Sequence, residues 1–200
     1  RPNYFLRVDD ILPEAFVGRP GAPVVLLGNN PGFKDEAGIP YKREAVFVAR
    51  LRKNLLHQSS DYPFVFLAPD ISERLKTWWE RKLRDLIARF GRQTIANAIL
   101  AIEHFPYPSR RYGHRSLHVP SQAYNFRLVC NAIDRGAVIV LMQGEKRWFN
   151  AVPHLNGYHP LVRLKNFQQP TINPGNCRDG GYHEIVRAIE AMLLSTAPTP

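Results

Sequence analysis

Two Asn-Pro-Gly loops, each preceded by an apolar run, are the segments of this 200-residue chain best suited to chemistry. The first, Gly28-Asn29-Asn30-Pro31-Gly32, follows Val24-Val25-Leu26-Leu27. The second, Asn173-Pro174-Gly175-Asn176, follows the stretch from Leu161 to Ile172. Open α/β sheets place their ligands at loops on the carboxyl ends of buried strands. Pro and Gly fix a tight backbone there, which lets an Asn side chain and free N–H groups face a cleft. An Asn in such a turn can hold a water through its carbonyl oxygen, though it cannot take that water's proton as a carboxylate could. Beyond the first loop, the turn Gly38-Ile39-Pro40 would deliver the ring of Tyr41 to the same cleft, where it could stack on a flat ligand. The same residues also read as a good turn and a core aromatic, and the sequence leaves both readings open.

Asn97 lies in the apolar run Ile95-Ala96-Asn97-Ala98-Ile99-Leu100. Taken as a strand residue it needs partners, since an unsatisfied buried amide costs about 1–3 kcal/mol. It could read the edge of a pyrimidine or satisfy the backbone. In the second loop, Asn173 and the N–H groups of Gly175 to Cys177 could hydrogen-bond a departing base with developing negative charge. Arg178 beyond them suits a phosphate, the space left in a duplex, or solvent. The stretch from Phe105 to Arg115 interleaves Tyr107 and Tyr112 with Arg110, Arg111 and Arg115, a pattern that fits a nucleic-acid backbone and its bases. Other signals are weaker. His114 and His118 lack a third ligand, so no metal site is expected. Glu103 and Glu145 fall near strand ends, but nothing pairs them as acid and base. No Walker loop, dinucleotide fingerprint or nucleophile elbow is present, and no cofactor is expected.

The elements that must hold these residues follow from hydrophobic patterning. Buried strands are predicted at Val24–Leu27, Phe64–Leu67, Ile95–Ile102, Val138–Met142 and part of Leu161–Ile172. Helices are predicted over Arg43–Leu56, Ser72–Phe90, Ser121–Arg135 and Tyr182–Leu194, with Ser72 as N-cap and Gly91 as the stop of the second. Alternating strands and helices imply an α/β domain of three layers, α/β/α, around a mostly parallel sheet of four to five strands. No repeat or linker divides the chain, so a single domain over residues 1–200 is expected, with 196–200 as a loose tail.

Composition narrows the setting. No apolar run approaches the roughly 18–20 residues of a membrane span, and no secretory signal is visible. Two cysteines, Cys130 and Cys177, are too few for a disulfide scaffold or an iron–sulfur cluster, which points to a reducing, intracellular setting. Lys and Arg number 27 against 17 Asp and Glu, a formal charge of +10. That balance suits an anionic partner, with nucleic acid first and an acidic membrane second.

Together these residues resemble the uracil-DNA glycosylase superfamily, and more closely its mismatch-specific and single-strand-selective monofunctional branches. The first motif of that family, G-x-N-P-G, is matched by Gly28-Asn29-Asn30-Pro31-Gly32. Gly38-Ile39-Pro40-Tyr41 is similar to its G-V-P-F segment, and Asn97 falls where the family has a uracil-recognising strand Asn. The run from Ala137 to Gly144 looks like its late strand, and Asn173-Pro174-Gly175-Asn176 resembles its N-P-S-G motif. The resemblance implies hydrolysis of the N-glycosidic bond of uracil or another deaminated or damaged base in DNA, by a monomer that uses no cofactor. It implies that Asn30 positions the hydrolytic water and that Asn173 steadies the leaving base. Gly28, Asn29, Pro31, Gly32, Phe33, Tyr41 and Asn97 would bind the base, and Arg110, Arg111, Arg115, Asn176 and Arg178 would contact DNA. The chain departs from the family in having no Asp in the first motif, no His in the second, and Tyr for the stacking Phe. These departures motivate a second expectation, a glycosylase-fold module that binds nucleic acid or a free base without cleaving it. Either way, Asn30, Tyr41, Asn97 and Asn173 are expected to converge on one base-sized cavity with a positive rim.

Overall fold

A computed structural model describes residues 4–9, 11–32, 39–113 and 116–196. Short apolar runs bounded by turn residues become the five strands β1 (Phe16–Gly18), β2 (Val24–Gly28), β3 (Ile99–Glu103), β4 (Val138–Leu141) and β5 (Leu161–Arg163). They form one sheet in the order β1-β3-β2-β4-β5. The four strands β2 to β5 run parallel, whereas β1 lies antiparallel against β3 at the edge. Among the described residues seven α-helices surround the sheet: α1 (Ile39–Lys42), α2 (Ala45–Leu55), α3 (Glu73–Phe90), α4 (Arg92–Ala98), α5 (Pro120–Asp134), α6 (Glu145–Ala151) and α7 (Gly181–Thr196).

Side-chain alternation along the strands divides the core in two. Leu26, Ala101 and Val140 face Phe47 and Leu51 of α2, Trp79 and Leu83 of α3, and Ile185 and Ile189 of α7. Val25, Leu27, Leu100 and Ile139 face Leu128 and Ala132 of α5 and Trp148 of α6. The protein is therefore α/β, with a mixed, mostly parallel sheet whose two faces are both covered. Ser72 caps α3 by accepting a hydrogen bond from the Arg74 N–H, and Gly91 closes it with its own N–H on Ile87 O.

Three strand assignments differ from expectation. Phe64–Leu67 is not a strand. Val65–Leu67 is a fully buried turn of 3₁₀ helix, because a short apolar run between Pro63 and Pro69 fits either state and tertiary packing decides. The segment Ile95–Ile102 is helix up to Ala98 and strand only from Ile99. The edge strand β1, three residues long, is too short to show alternation.

The parallel strands deliver their carboxyl ends to one edge of the sheet, and their register fixes which residues meet there. Val24 pairs with Ile99, so Gly28 pairs with Glu103. The pairing continues past the strands. His104 N donates to Gly28 O at 3.2 Å, Phe105 N to Asn29 O at 2.8 Å, and Ser109 N to Pro31 O at 3.2 Å. The first Asn-Pro-Gly loop is thus fastened along the basic, aromatic stretch that follows β3.

Candidate functional site

Above that edge lies a cavity of about 960 Å³. Its floor is the sheet, with Leu26, Gly28, Ala101 and Glu103, and one wall is the loop Asn29–Gly32 with Ser109 to Tyr112. The facing wall comes from Tyr41 and Lys42 of α1 and from Arg74, Thr77, Trp78 and Arg81 of α3, while Gln143 and Pro170 close the sides.

The first loop is rigid for reasons of local chemistry. The Asn30 amide nitrogen donates to Ser109 Oγ at 2.9 Å and to the carbonyls of Pro31 at 3.0 Å and Tyr107 at 3.4 Å. Carbonyls can only accept, so the NH₂ end of the amide must face them. Asn30 Oδ1 is left as an acceptor without a hydrogen bond among the described residues, on a side chain that lines the cavity. Ser109 is buried and donates onward to Arg111 O at 3.0 Å. Asn29 ties the loop to the β4–α6 turn. Its Oδ1 accepts from Arg147 at 2.5 Å, and its amide donates to Gln143 at 3.3 Å. A Cβ at Gly144 would stand 2.2 Å from Asn29 Oδ1, so that turn requires glycine. Arg147 also lies over the Tyr112 ring, 4.8 Å from its centroid.

The floor is acidic and unusual. Glu103 at the end of β3 packs so closely on Gly28 that a Cβ there would lie 2.3 Å from Glu103 Oε2. That oxygen is shielded and has no hydrogen-bond partner among the described residues. Burial, and then the neighbouring Glu14, push the Glu103 carboxyl up from 4.5 to about 8, against a smaller pull from Lys42. Glu14 and Lys42 are themselves buried and form an ion pair with each other. The helical wall is aromatic and basic. Arg74 lies over the Tyr41 ring at 5.5 Å and Lys82 over the Trp78 ring at 5.4 Å, and Trp78 remains 41% exposed.

Of the expected site residues, Gly28, Asn29, Asn30, Pro31, Gly32, Tyr41, Arg110 and Arg111 line this one cavity. Phe33 and Arg115 lie outside the described residues, as do Gly38 and His114. Four do not line the cavity. Asn97 is in the last turn of α4, at the opposite end of β3, where its amide donates to Gln93 O at 3.0 Å and Asp61 O at 3.3 Å. It is a helical residue because Gly91 starts a new helix there, and it satisfies its own backbone. Asn173 accepts the Asn176 N–H at 2.8 Å through Oδ1 and so shapes its own turn. Asn176 braces the same loop, accepting from Asn166 N and donating to Thr171 O, each at 2.8 Å. The exposed Arg178 follows this loop, its N–H paired with Arg163 O at 2.9 Å. No residue of the second loop lines the cavity; Pro170, in the segment before it, does.

No protein-family model, curated protein or solved structure matches this chain. The chemistry must be read from the site itself.

Sequence reasoning missed the α3 wall, the Glu14–Lys42 pair and Glu103. The signal for α3 was present. Arg74, Trp78 and Arg81 recur at helical spacing beside the core stripe Leu75, Trp79, Leu83 and Leu86. Glu103 was visible at a strand end, and only its lack of a partner acid set it aside. Among the described residues, no three His, Cys, Asp or Glu side chains are grouped to hold a metal, and no helix is long and apolar enough to cross a membrane.

Proposed function

We propose that this protein accepts a base flipped out of a DNA strand and hydrolyses its N-glycosidic bond, as a member of the uracil-DNA glycosylase type of α/β fold. The observation that carries this reading is Asn30, whose pinned amide leaves one unused acceptor on the cavity wall. Such an acceptor orients a water without deprotonating it, which suits a reaction in which bond breaking runs ahead of attack. As the carbon–nitrogen bond breaks, its electron pair leaves with the base. The water oxygen then bonds to the anomeric carbon and its proton passes to the base or to solvent. The sugar becomes oxocarbenium-like and the base gains negative charge, so the demand is for oriented groups and a favourable field.

Several features fit those demands. Arg74, Arg81, Arg110 and Arg111 surround the cavity with positive charge, favouring both the strand phosphates and an anionic leaving base. Tyr41 and the partly exposed Trp78 offer aromatic faces for a flat ring. Extrusion costs a few kcal/mol, least for a mispaired or single-stranded base, which biases such an enzyme toward damaged sites.

The deciding assay is excision from a single-stranded oligonucleotide containing one uracil, followed by alkaline cleavage of the abasic product. Wild type should release uracil, and Asn30→Ala should lower the rate by about 100-fold or more while binding the oligonucleotide normally, a loss typical of a single positioning group. Equal rates for the two proteins would remove Asn30 from the mechanism. A second reading, nucleic-acid or free-base binding without hydrolysis, draws on Asn173, which lies outside the cavity lining and leaves no second-loop amide to steady the base. Salt-sensitive binding with no abasic product from a panel of lesions would select it.

A further inference from the structure

We propose that Glu103 is the side chain that reads the bound base, its carboxylic acid group pairing by two hydrogen bonds with a ring edge that carries an N–H beside a C=O. That is the lactam edge of uracil and related deaminated bases. The inference rests on the reading of this cavity as a base pocket and names its substrate class.

Position comes first. Glu103 ends β3 on the cavity floor, in register with Gly28 and with the sheet face of Leu26 and Ala101. Its Oε2 is enclosed, abuts Gly28 and makes no hydrogen bond among the described residues. A buried polar atom left unpaired costs about 1–3 kcal/mol, so a ligand toward which the carboxyl turns, drawing Oε2 off Gly28 and into a hydrogen bond, binds with that advantage.

Charge then decides which form of the carboxyl is present. Lys42 from α1 pairs with Glu14, and Glu103 forms no ion pair among the described residues. Adjacent His104 is also held neutral near neutral pH, since burial, then Arg147 and His118, lower its pKa to about 4. Arg74 and Arg81 from α3 and Arg110 and Arg111 from the loop line the same cavity without bonding Glu103. An ionised Glu103 would therefore stand unpaired beside a second acid. The protonated acid offers one donor and one acceptor side by side, the complement of a lactam edge. A carboxylate offers acceptors only and would repel the ring C=O. Burial and Glu14 keep the acid form up to about pH 8.

Glutamine preserves one donor and one acceptor at the same place and does not titrate, which makes Glu103→Gln the discriminating variant. Free uracil and 1,3-dimethyluracil, which has no ring N–H, are titrated into the full chain by ligand-detected NMR, using wild type, Glu103→Gln and Glu103→Ala. At about pH 6.5 wild type and Glu103→Gln should bind uracil comparably, and Glu103→Ala about tenfold more weakly, as expected for losing a two-point contact. At about pH 9 wild type should fall a further fivefold or more relative to Glu103→Gln, because only about a tenth of Glu103 then remains protonated. 1,3-Dimethyluracil should bind wild type about tenfold more weakly than uracil. The proposal is overturned if wild type binds no uracil near neutral pH, or if Glu103→Gln is as weak as Glu103→Ala. Equal binding of the two ligands also overturns it. Excision measured on the same proteins separates the two readings. Glu103-dependent uracil binding with no excision refutes hydrolysis alone, and wild-type excision that Glu103→Ala retains in full refutes the Glu103 assignment alone.

Discussion

Replacing Glu103 by Gln should make the protein more stable at alkaline pH while leaving it unchanged in acid. The carboxyl titrates at about 8 in the folded chain, against 4.5 ordinarily. Below 4.5 both states hold the proton and the group contributes no difference. Between 4.5 and about 8 the unfolded chain has released the proton while the folded chain keeps it, so stability falls as pH rises. Above about 8 the full penalty is present and the curve is level. At about 1.4 kcal/mol per pH unit, that interval caps the effect at about 5 kcal/mol. Glu103 faces a cavity that water can enter, so roughly half of the cap, about 2–3 kcal/mol, is the expected size. For a chain of this length that corresponds to about 4–12 °C in Tm. Thermal or urea unfolding of wild type and Glu103→Gln at about pH 4.5, 6.5 and 9 measures the difference directly. Other groups cancel in the comparison, including His104, held down to about 4, and the buried Cys177 thiol, pushed up to about 11, since both proteins carry them. Parallel pH profiles for the two proteins would refute the reasoning, because they would mean that Glu103 is ionised and solvated in the native state.

The remaining predictions test the two walls. Lys42→Met leaves Glu14 buried without its cation and should cost about 3–5 kcal/mol in urea unfolding; adding Glu14→Gln should recover most of it, and a cost that Glu14→Gln does not relieve would show that the pair is not coupled. Trp78→Ala removes an exposed ring from the cavity wall and should weaken binding of single-stranded oligonucleotide by about 1–3 kcal/mol in fluorescence anisotropy, with Tm little changed. Undiminished affinity in that variant would take α3 out of the nucleic-acid surface.

Much of the fold was readable because long periodic segments leave little choice. α3 carries its apolar stripe, its Ser72 cap and its Gly91 stop in the sequence, and the structure follows all three. β2 and β4 are apolar runs too short for a helix, and they occupy the sheet centre as such runs should. The failures fall where local pattern is ambiguous. Phe64–Leu67 is apolar throughout, and whether it pairs with a strand or tucks beneath Trp79 is settled by neighbours far away in the sequence; Phe64 meets Trp79 edge-on at 4.9 Å. β1 exists because β3 offers it an edge, a fact that three residues cannot announce.

The candidate site divides on the same physical line. Asn30 and its loop are legible because turn chemistry is local: Pro31 and Gly32 fix the backbone, and the amide finds partners one residue away and across a single neighbouring strand extension. The helical wall is not legible, because which flank of α3 meets a cavity depends on where α1 and the loop are placed. Asn97 and Glu103 mark the boundary between the two cases. A strand drawn from Ile95 selects Asn97 as the polar side chain on its face, whereas a strand that begins at Ile99 runs on to Glu103. The two positions differ by an even number, so alternation sets them on the same side and the parity of the reading holds. What changes is the end of the strand. Asn97 falls at the amino end, where a helix with Gln93 and Asn97 on one flank consumes its amide, and Glu103 falls at the carboxyl end, where parallel sheets open their clefts. A displacement of four residues in one boundary therefore replaces a neutral amide with a titratable acid at the floor of the pocket. It also makes the pH dependence of base binding the property that most sharply separates the two assignments.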